Sequence, residues 1–294
     1  MNITKIAQGG CLNVLVLSGV HGNETHANAA ITKLCNKVLE EKPYSGLINE
    51  IVFITDINTY GLEQDTRDNN YEEKPVKDCN RLFTKNYKTS EQIKSTILQV
   101  MSKNCFDLVL DVHNSPMCFP CALIDYDVKA KELMRPLLNT EIRPLLRTTN
   151  ASTIKRYFNK GNTYTYAYTI ELPGMGVIGN INKSVELVDD FIIKVCKYIK
   201  AHRKSDVTFD FNLDKYLVEP LCSMVDNGYI VYSKNTYPVG YYHSGDIICN
   251  IYKNSNYPIQ TVTAPYDGIL FDVDDNIYSY SGKQFGLYGR DFSI

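Results

Sequence analysis

Apolar residues follow two rhythms from the start of the chain to about residue 202. Short continuous runs, "LNVLVLSGV", "EIVFITDIN", "DLVLDVH" and "CALIDY", have the length and composition of interior strands. Other stretches carry apolar residues at helical spacing. Residues 91–103 and 184–200 read as amphipathic helices, and in the second Val185, Leu187, Val188, Ile192, Val195 and Ile199 roughly keep the helical period. Strands alternating with helices predict an α/β domain with a parallel or mixed sheet. The pattern then changes. "AHRKSDVTFDFN" is polar enough for a linker, and from Leu217 onward short runs such as "GYIVY", "GDIICNIY" and "GILFDV" alternate with Gly, Asn, Asp and Pro. Residues 1–204 are therefore expected to form the α/β domain and 205–294 a smaller β-rich one.

The first strand runs into "SGVHGNETHANAA". Ser18 and Gly19 break it, Asn23 is placed to cap a helix, and Ala27, Ala30, Ile31 and Leu34 give that helix an apolar face. His21 and Glu24 then stand just past the carboxyl end of a strand, where open α/β sheets bind ligands. His113 ends "DLVLDVH", so two strand ends of one sheet can bring all three side chains together. Two imidazoles and one carboxylate make a three-ligand zinc site with a fourth position left for water. Asp111 lies two residues before His113, on the same face of its strand, and can back its imidazole. Taken singly, a strand-end histidine is more often structural than a metal ligand, and the H-x-x-E spacing occurs by chance at many helix starts. His26 falls inside the expected helix and His202 and His243 in polar segments; these three read as surface residues.

Two further stretches add chemistry. "VKDCNRLF" sets Asn80 beside Arg81, a pair suited to gripping a carboxylate, and Arg67 in "QDTRDNN" offers another cation. In "YTIELPGMG", Glu171 ends a strand before a Pro-Gly turn. A carboxylate beside an activated water can take its proton and deliver it to a leaving amine.

Composition narrows the partners. The 294 residues are 44% hydrophobic and 22% charged, with 31 basic against 33 acidic side chains and a net charge of −2. That balance leaves no electrostatic footprint for nucleic acid or an anionic membrane. The opening "MNITKIAQGG" lacks the apolar core of a secretory signal, and no run has the length of a membrane span. Nine scattered cysteines point to free thiols in a reducing cytoplasm, and Cys118 with Cys121 in "CFPC" reads as packing rather than as a redox pair.

The pieces "GVHGNET", "CNRLF", "DVHNS" and "IELPG", in this order and at these separations, resemble the aspartoacylase and succinylglutamate desuccinylase family over most of residues 12–200. The resemblance implies a zinc carboxypeptidase-like mixed sheet flanked by helices, with a smaller C-terminal β-rich domain. It implies one zinc per chain, held by His21, Glu24 and His113, with Glu171 as general base and then acid. Asn80 and Arg81 would hold the substrate carboxylate. Arg67, whose spacing from Asn58 fits, would polarise the scissile carbonyl, with Lys74 as its substitute because an insertion separates Arg67 from the Asn-Arg pair. Tyr278, or else Tyr280, would be the tyrosine that the β domain contributes. That domain shows no lysine placed for a carrier role.

One departure bears on the substrate. Tyr157 matches a tyrosine of the aspartate-specific members, but Gly161 stands where they carry an arginine, leaving Lys160 or Arg156 to compensate. The implied activity is hydrolysis of an amide that releases the acyl group of an N-acyl amino acid. A metallocarboxypeptidase acting on a short peptide, and a catalytically silent zinc-binding protein, are the alternatives. The implied partner is a small molecule, with no nucleic acid and no membrane, and assembly into a homo-oligomer is left open.

Overall fold

The computed structural model describes residues 1–68, 78–81, 91–103, 105–115, 119–125, 129–147, 165–174, 180–202, 217–224, 228–233, 240–253, 256–273, 278–279 and 284–290. The chain order begins β1 (Asn2–Ala7), β2 (Leu12–Ser18), α1 (Thr25–Glu41), β3 (Ile48–Thr55), α2 (Thr59–Gln64) and α3 (Glu91–Lys103). It continues with β4 (Leu108–Ser115), β5 (Cys121–Asp125), α4 (Ala130–Met134), β6 (Arg143–Arg147), β7 (Tyr166–Pro173) and α5 (Ile181–His202). The remaining strands are β8 (Leu217–Cys222), β9 (Gly228–Tyr232), β10 (Gly240–Tyr242), β11 (Ile247–Tyr252), β12 (Pro258–Thr263), β13 (Gly268–Val273), β14 (Tyr278–Ser279) and β15 (Gln284–Gly289).

The main sheet has eleven strands in the order β1-β3-β2-β4-β7-β5-β6-β8-β15-β13-β10. Its centre, β3-β2-β4-β7, is parallel, while β1 on the edge and β5 beside β7 run antiparallel. The sheet is therefore mixed, as the sequence pattern implied. From β2 the chain passes through α1 to β3 on one side, then returns through α3 to β4 on the other. The carboxyl ends of β2 and β4 thus flank a topological switch point, the place where open α/β sheets form a crevice.

Both faces of the central strands are covered. Leu12, Val14 and Val16 of β2 and Leu110 and Val112 of β4 pack with Ala27, Ile31 and Leu34 of α1 and with Val188, Phe191 and Val195 of α5. On the opposite face Leu15, Leu17, Val52 and Val109 pack with Ile97 and Val100 of α3. Each fully buried aliphatic side chain contributes roughly 1.5–3 kcal/mol, so these two layers fix which way every strand faces. Strands β8, β15, β13 and β10 carry the main sheet onward from β6, and the other C-terminal strands form a four-stranded sheet, β12-β11-β9-β14. The boundary expected at residue 204 falls within 203–216, outside the described residues.

Strands β1 and β6 and the short helices α2 and α4 were not legible in the pattern. In β1 only Ile6 is buried, and β6 carries a proline and two arginines in "RPLLR". No helix among the described residues is long and apolar enough to cross a membrane, and no disulfide joins the described cysteines.

A partly buried ion pair ties α1 to α5. Asp189 accepts from Lys37 Nζ at 2.7 Å and from the Tyr44 hydroxyl at 2.6 Å. Burial, reinforced by Asp189, pushes the Tyr44 phenol well above its ordinary range. Replacing Asp189 with Ala strands that hydroxyl in the core, and a loss of about 2 kcal/mol is expected in urea unfolding. Asp189→Asn keeps an acceptor and should lose less.

Candidate active site

At the end of β2 the backbone turns through Gly19, with φ of +72°. A side chain there would meet Asn28 Oδ1 at 2.9 Å and the Asp56 backbone at 3.1 Å, so glycine meets both the dihedral and the space requirement. The turn then delivers His21, which is buried. A second close approach follows, where a Cβ on Gly22 would overlap the carbonyl of Gly61 in α2. This contact between two glycines brings α2 and the segment after it against the His21 turn.

The capping position of α1 is occupied by Glu24, not by Asn23, and Glu24 makes no side-chain cap bond. Its carboxylate faces the two histidines instead. Glu24 Oε1 lies 2.6 Å from His21 Nδ1, and Oε2 lies 2.8 Å from His113 Nδ1. The Asn114 amide donates to Oε2 at 3.2 Å, and the two imidazole centroids are 4.9 Å apart. All three side chains are buried, and one ligand atom from each lies within 4.8 Å of the others. This cluster can hold a metal ion.

Each imidazole has a carboxylate behind it. His21 Nε2 is 3.1 Å from Asp78 Oδ1. His113 Nε2 is 3.1 Å from Asp111 Oδ1, an ion-pair distance without the angle of a hydrogen bond. Both Nδ1 atoms therefore converge on Glu24 while both Nε2 atoms face aspartates, the arrangement that fixes ring orientation and tautomer in metal-ligating histidines. On donor chemistry, the residues present fit a two-histidine, one-carboxylate zinc site. Asp111 stands where the strand alternation predicted it, whereas Asp78 had no role in the sequence reading. The signal available was its place two residues before Asn80.

The charges are tightly paired. Burial acts to raise the Glu24 carboxyl, but His113 and then His21 outweigh it and hold the group well below the usual carboxylate range. Burial acts to lower the His113 imidazole, and Asp111 and Glu24 outweigh it in turn, holding it well above its ordinary value. Asp78 follows the Glu24 pattern: burial raises it, and His21, then Arg81 and Arg67, hold it low.

Arg67 belongs to this group. Its Nη1 lies 3.3 Å from Glu24 Oε1, and its side chain is half exposed. Two donors hold its carbonyl: the Gly22 amide at 3.3 Å and Asn58 Nδ2 at 3.2 Å. Asn58 also caps α2 by accepting from the Gly61 amide at 3.0 Å. Asn80 and Arg81 lie on a single 3-10 turn, Cys79–Arg81, with Asn80 buried. Asp78 joins this turn to the cluster, because its Oδ1 accepts from the Asn80 amide at 2.8 Å as well as facing His21. Glu171 stands on β7 in direct register with His113 on β4 and with Cys121 on β5. Register partners on neighbouring strands share a face, so Glu171 borders the cluster.

Tyr278 lies on β14 of the four-stranded sheet, 41% exposed, with its ring edge-on to Tyr229 at 5.5 Å. Tyr157, Lys160, Arg156, Gly161, Lys74 and Tyr280 are outside the described residues. Two histidines expected at the surface are half-buried. His26 is bonded to Ser184 Oγ at 2.9 Å beneath Gly174, and His202 stacks on Tyr198.

The switch point of this α/β sheet thus carries a His-Glu-His cluster that could hold a metal ion, with a carboxylate in register on the neighbouring strand. Residues 11–191 match the model of the succinylglutamate desuccinylase/aspartoacylase catalytic domain, and the chain belongs to that family of deacylases. No curated protein matches it by sequence. Solved structures share its fold at low identity. An aspartoacylase family protein from Mesorhizobium loti is 15% identical with a TM-score of 0.72, over 99% of this chain and 89% of that one. A succinylglutamate desuccinylase/aspartoacylase from Rhodobacter sphaeroides is 18% identical with a TM-score of 0.70, over 99% and 89%. The ectoine utilization protein EutE (DoeB) from Ruegeria pomeroyi is 15% identical with a TM-score of 0.65, over 98% and 88%.

The Gly22–Gly61 contact leads to a prediction. In Gly22→Ala one backbone must move, which pulls the Gly22 amide away from the Arg67 carbonyl. Thermal unfolding followed by circular dichroism should show a loss of about 1–3 kcal/mol, the usual cost of overpacking. An unchanged midpoint would mean that the turn has slack.

Proposed function

We propose that this chain is a zinc-dependent hydrolase that cleaves the amide bond of a small N-acyl amino acid and releases the acyl group. The observation that carries this reading is the convergence of His21, Glu24 and His113, with Glu171 in register beside His113. Zinc bound by the three side chains would supply a Lewis acid for the amide carbonyl and lower the pKa of water at the open position. Glu171 takes a proton from the attacking water as its oxygen bonds to the carbonyl carbon. It then returns that proton to the nitrogen as the carbon–nitrogen bond breaks, leaving a carboxylic acid and a free amine. The Arg67 guanidinium stabilises the negative charge that develops on the carbonyl oxygen. Arg81 takes the substrate carboxylate through two parallel N–H groups, and Asn80 adds a donor.

Tyr157, Lys160 and Tyr278 are the candidates for reading the rest of the substrate. With Gly161 in the chain, the side-chain grip of this enzyme differs from that of aspartate-specific relatives. A neutral acyl amino acid or a different acidic one is the expected substrate, rather than N-acetylaspartate.

Amine release by the zinc-loaded protein, measured across acidic and neutral N-acyl amino acids and short peptides, tests the reading. Release from acylated single amino acids is expected. Cleavage of peptides alone would make the protein a carboxypeptidase, and bound zinc without any release would leave a silent zinc-binding protein. On the substrate that responds, Glu171→Ala should lower kcat by at least about 100-fold. Its zinc content should stay at one per chain, and near-normal turnover would remove Glu171 from the mechanism.

A further inference from the structure

Helix α1 starts without a cap of its own. An N-cap side chain ordinarily accepts from the amide of the second or third helical residue. Glu24 occupies that position with both carboxylate oxygens turned to His21 and His113. The third amide of the helix, that of Ala27, donates at 2.6 Å to Asn114 Oδ1 on β4. The other end of the same side chain is also engaged, with Nδ2 donating to the Leu172 carbonyl on β7 at 3.3 Å. The Asn114 backbone amide donates to Glu24 Oε2.

Asn114 follows His113 in the strand, so its side chain points to the opposite face, toward the helices. It is 3% exposed. It nevertheless touches all three elements of the site: the start of α1, which carries Glu24; β4, which carries His113; and β7, whose Leu172 follows Glu171.

We propose that Asn114 is a positioning residue that caps α1 in place of Glu24, so that the Glu24 carboxylate stays on the two histidines while β7 holds Glu171 beside them. A carboxylate that also had to cap its own helix would be divided between the Ala27 amide and the imidazoles. With the cap supplied from β4, that competition disappears. The position requires an acceptor on one side and a donor on the other. An amide supplies both, whereas aspartate supplies only the acceptor and alanine neither.

The inference rests on the metal site of the proposed function, and its test separates the two. Zinc affinity is measured by chelator competition on the full chain, with kcat and KM on whichever substrate of the panel responds, for the wild type, Asn114→Ala and Asn114→Asp. In Asn114→Ala, zinc affinity and kcat should each fall roughly 10- to 100-fold, the range seen when partners of metal ligands are removed, with KM little changed. Asn114→Asp restores an oxygen to the Ala27 amide, so zinc affinity should return most of the way. Its kcat should stay low, because the bond to Leu172 is lost.

Zinc binding in Asn114→Ala as tight as in the wild type would overturn the inference. So would an Asp variant that binds zinc no better than the Ala variant. Should Asn114→Ala fail to fold, Asn114→Asp against the wild type decides: zinc affinity kept with kcat lowered supports the role, and any other combination overturns it. A wild type that binds zinc but releases no amine would count against the proposed function alone, and the zinc comparison would still decide the role of Asn114.

Discussion

A polar residue at the start of a helix normally turns back to the free amides above it, and Glu24 does not. Its carboxylate lies between His21 and His113, one oxygen to each, and all three side chains are buried. Much of the local architecture follows from that placement. His21 lies only three residues earlier, so the chain must leave β2, aim one buried imidazole at the carboxylate and enter the helix within a few residues. Gly19 makes the left-handed turn and Gly22 allows α2 to approach, and a side chain at either position would strain or displace the backbone.

The second constraint comes from the sheet. Strand side chains alternate between faces, and a slip of one residue exchanges the faces completely. On β7, Ile170 and Leu172 lie in the apolar layer beneath α1 and α5, which leaves Glu171 on the opposite face in register with His113. The core therefore sets the position of the carboxylate. Moving β7 by one residue would bury Glu171 among the helices and put an aliphatic side chain beside the cluster. The same logic holds for β4, where Leu110 and Val112 face the helices while Asp111 and His113 face the site.

This coupling explains what the sequence disclosed and what it concealed. The central strands were legible because they are buried on both faces and read as continuous apolar runs. His21, Glu24 and His113 were legible because they sit at the ends of those runs. The cap of α1 was misread: Asn23 has the better local propensity, but the histidines across the crevice determine the role of Glu24. The bridge from Asp78 to His21 spans 57 positions, and the bond from Ala27 to Asn114 spans 87, so no local pattern marks either. His26 looked like a surface residue because its partner, Ser184, arrives on a distant helix. Edge strand β1 and the proline-bearing β6 lack the alternation that reveals a strand, and their pairing emerges only once the sheet has formed.

Polarity along one face of the sheet carries a further argument. At the base of the central strands Leu15, Val109 and Ala167 form an apolar layer. Toward the carboxyl ends of β4 and β7 the same face becomes polar: buried Asp111 pairs in register with buried Thr169, and His113 with Glu171, while Leu17 of β2 beside Asp111 stays apolar. On the opposite face Val112 and Leu172 stay in the apolar layer, and the buried polar side chains beyond it, Ser18 and Asn114, are neutral and hydrogen-bonded. Ordinary solvation of strand ends gives no reason for ionisable groups on one face only. Burying carboxylates costs several kcal/mol each even when paired, and an apolar replacement would often be as stable or more so. Folding stability alone therefore gives no reason for ionisable groups that are buried, confined to one face of β4 and β7 and placed at the switch point. That pattern is expected of a face kept polar for chemistry, and a cation shared among Glu24 and the two imidazoles would offset the cost of keeping it.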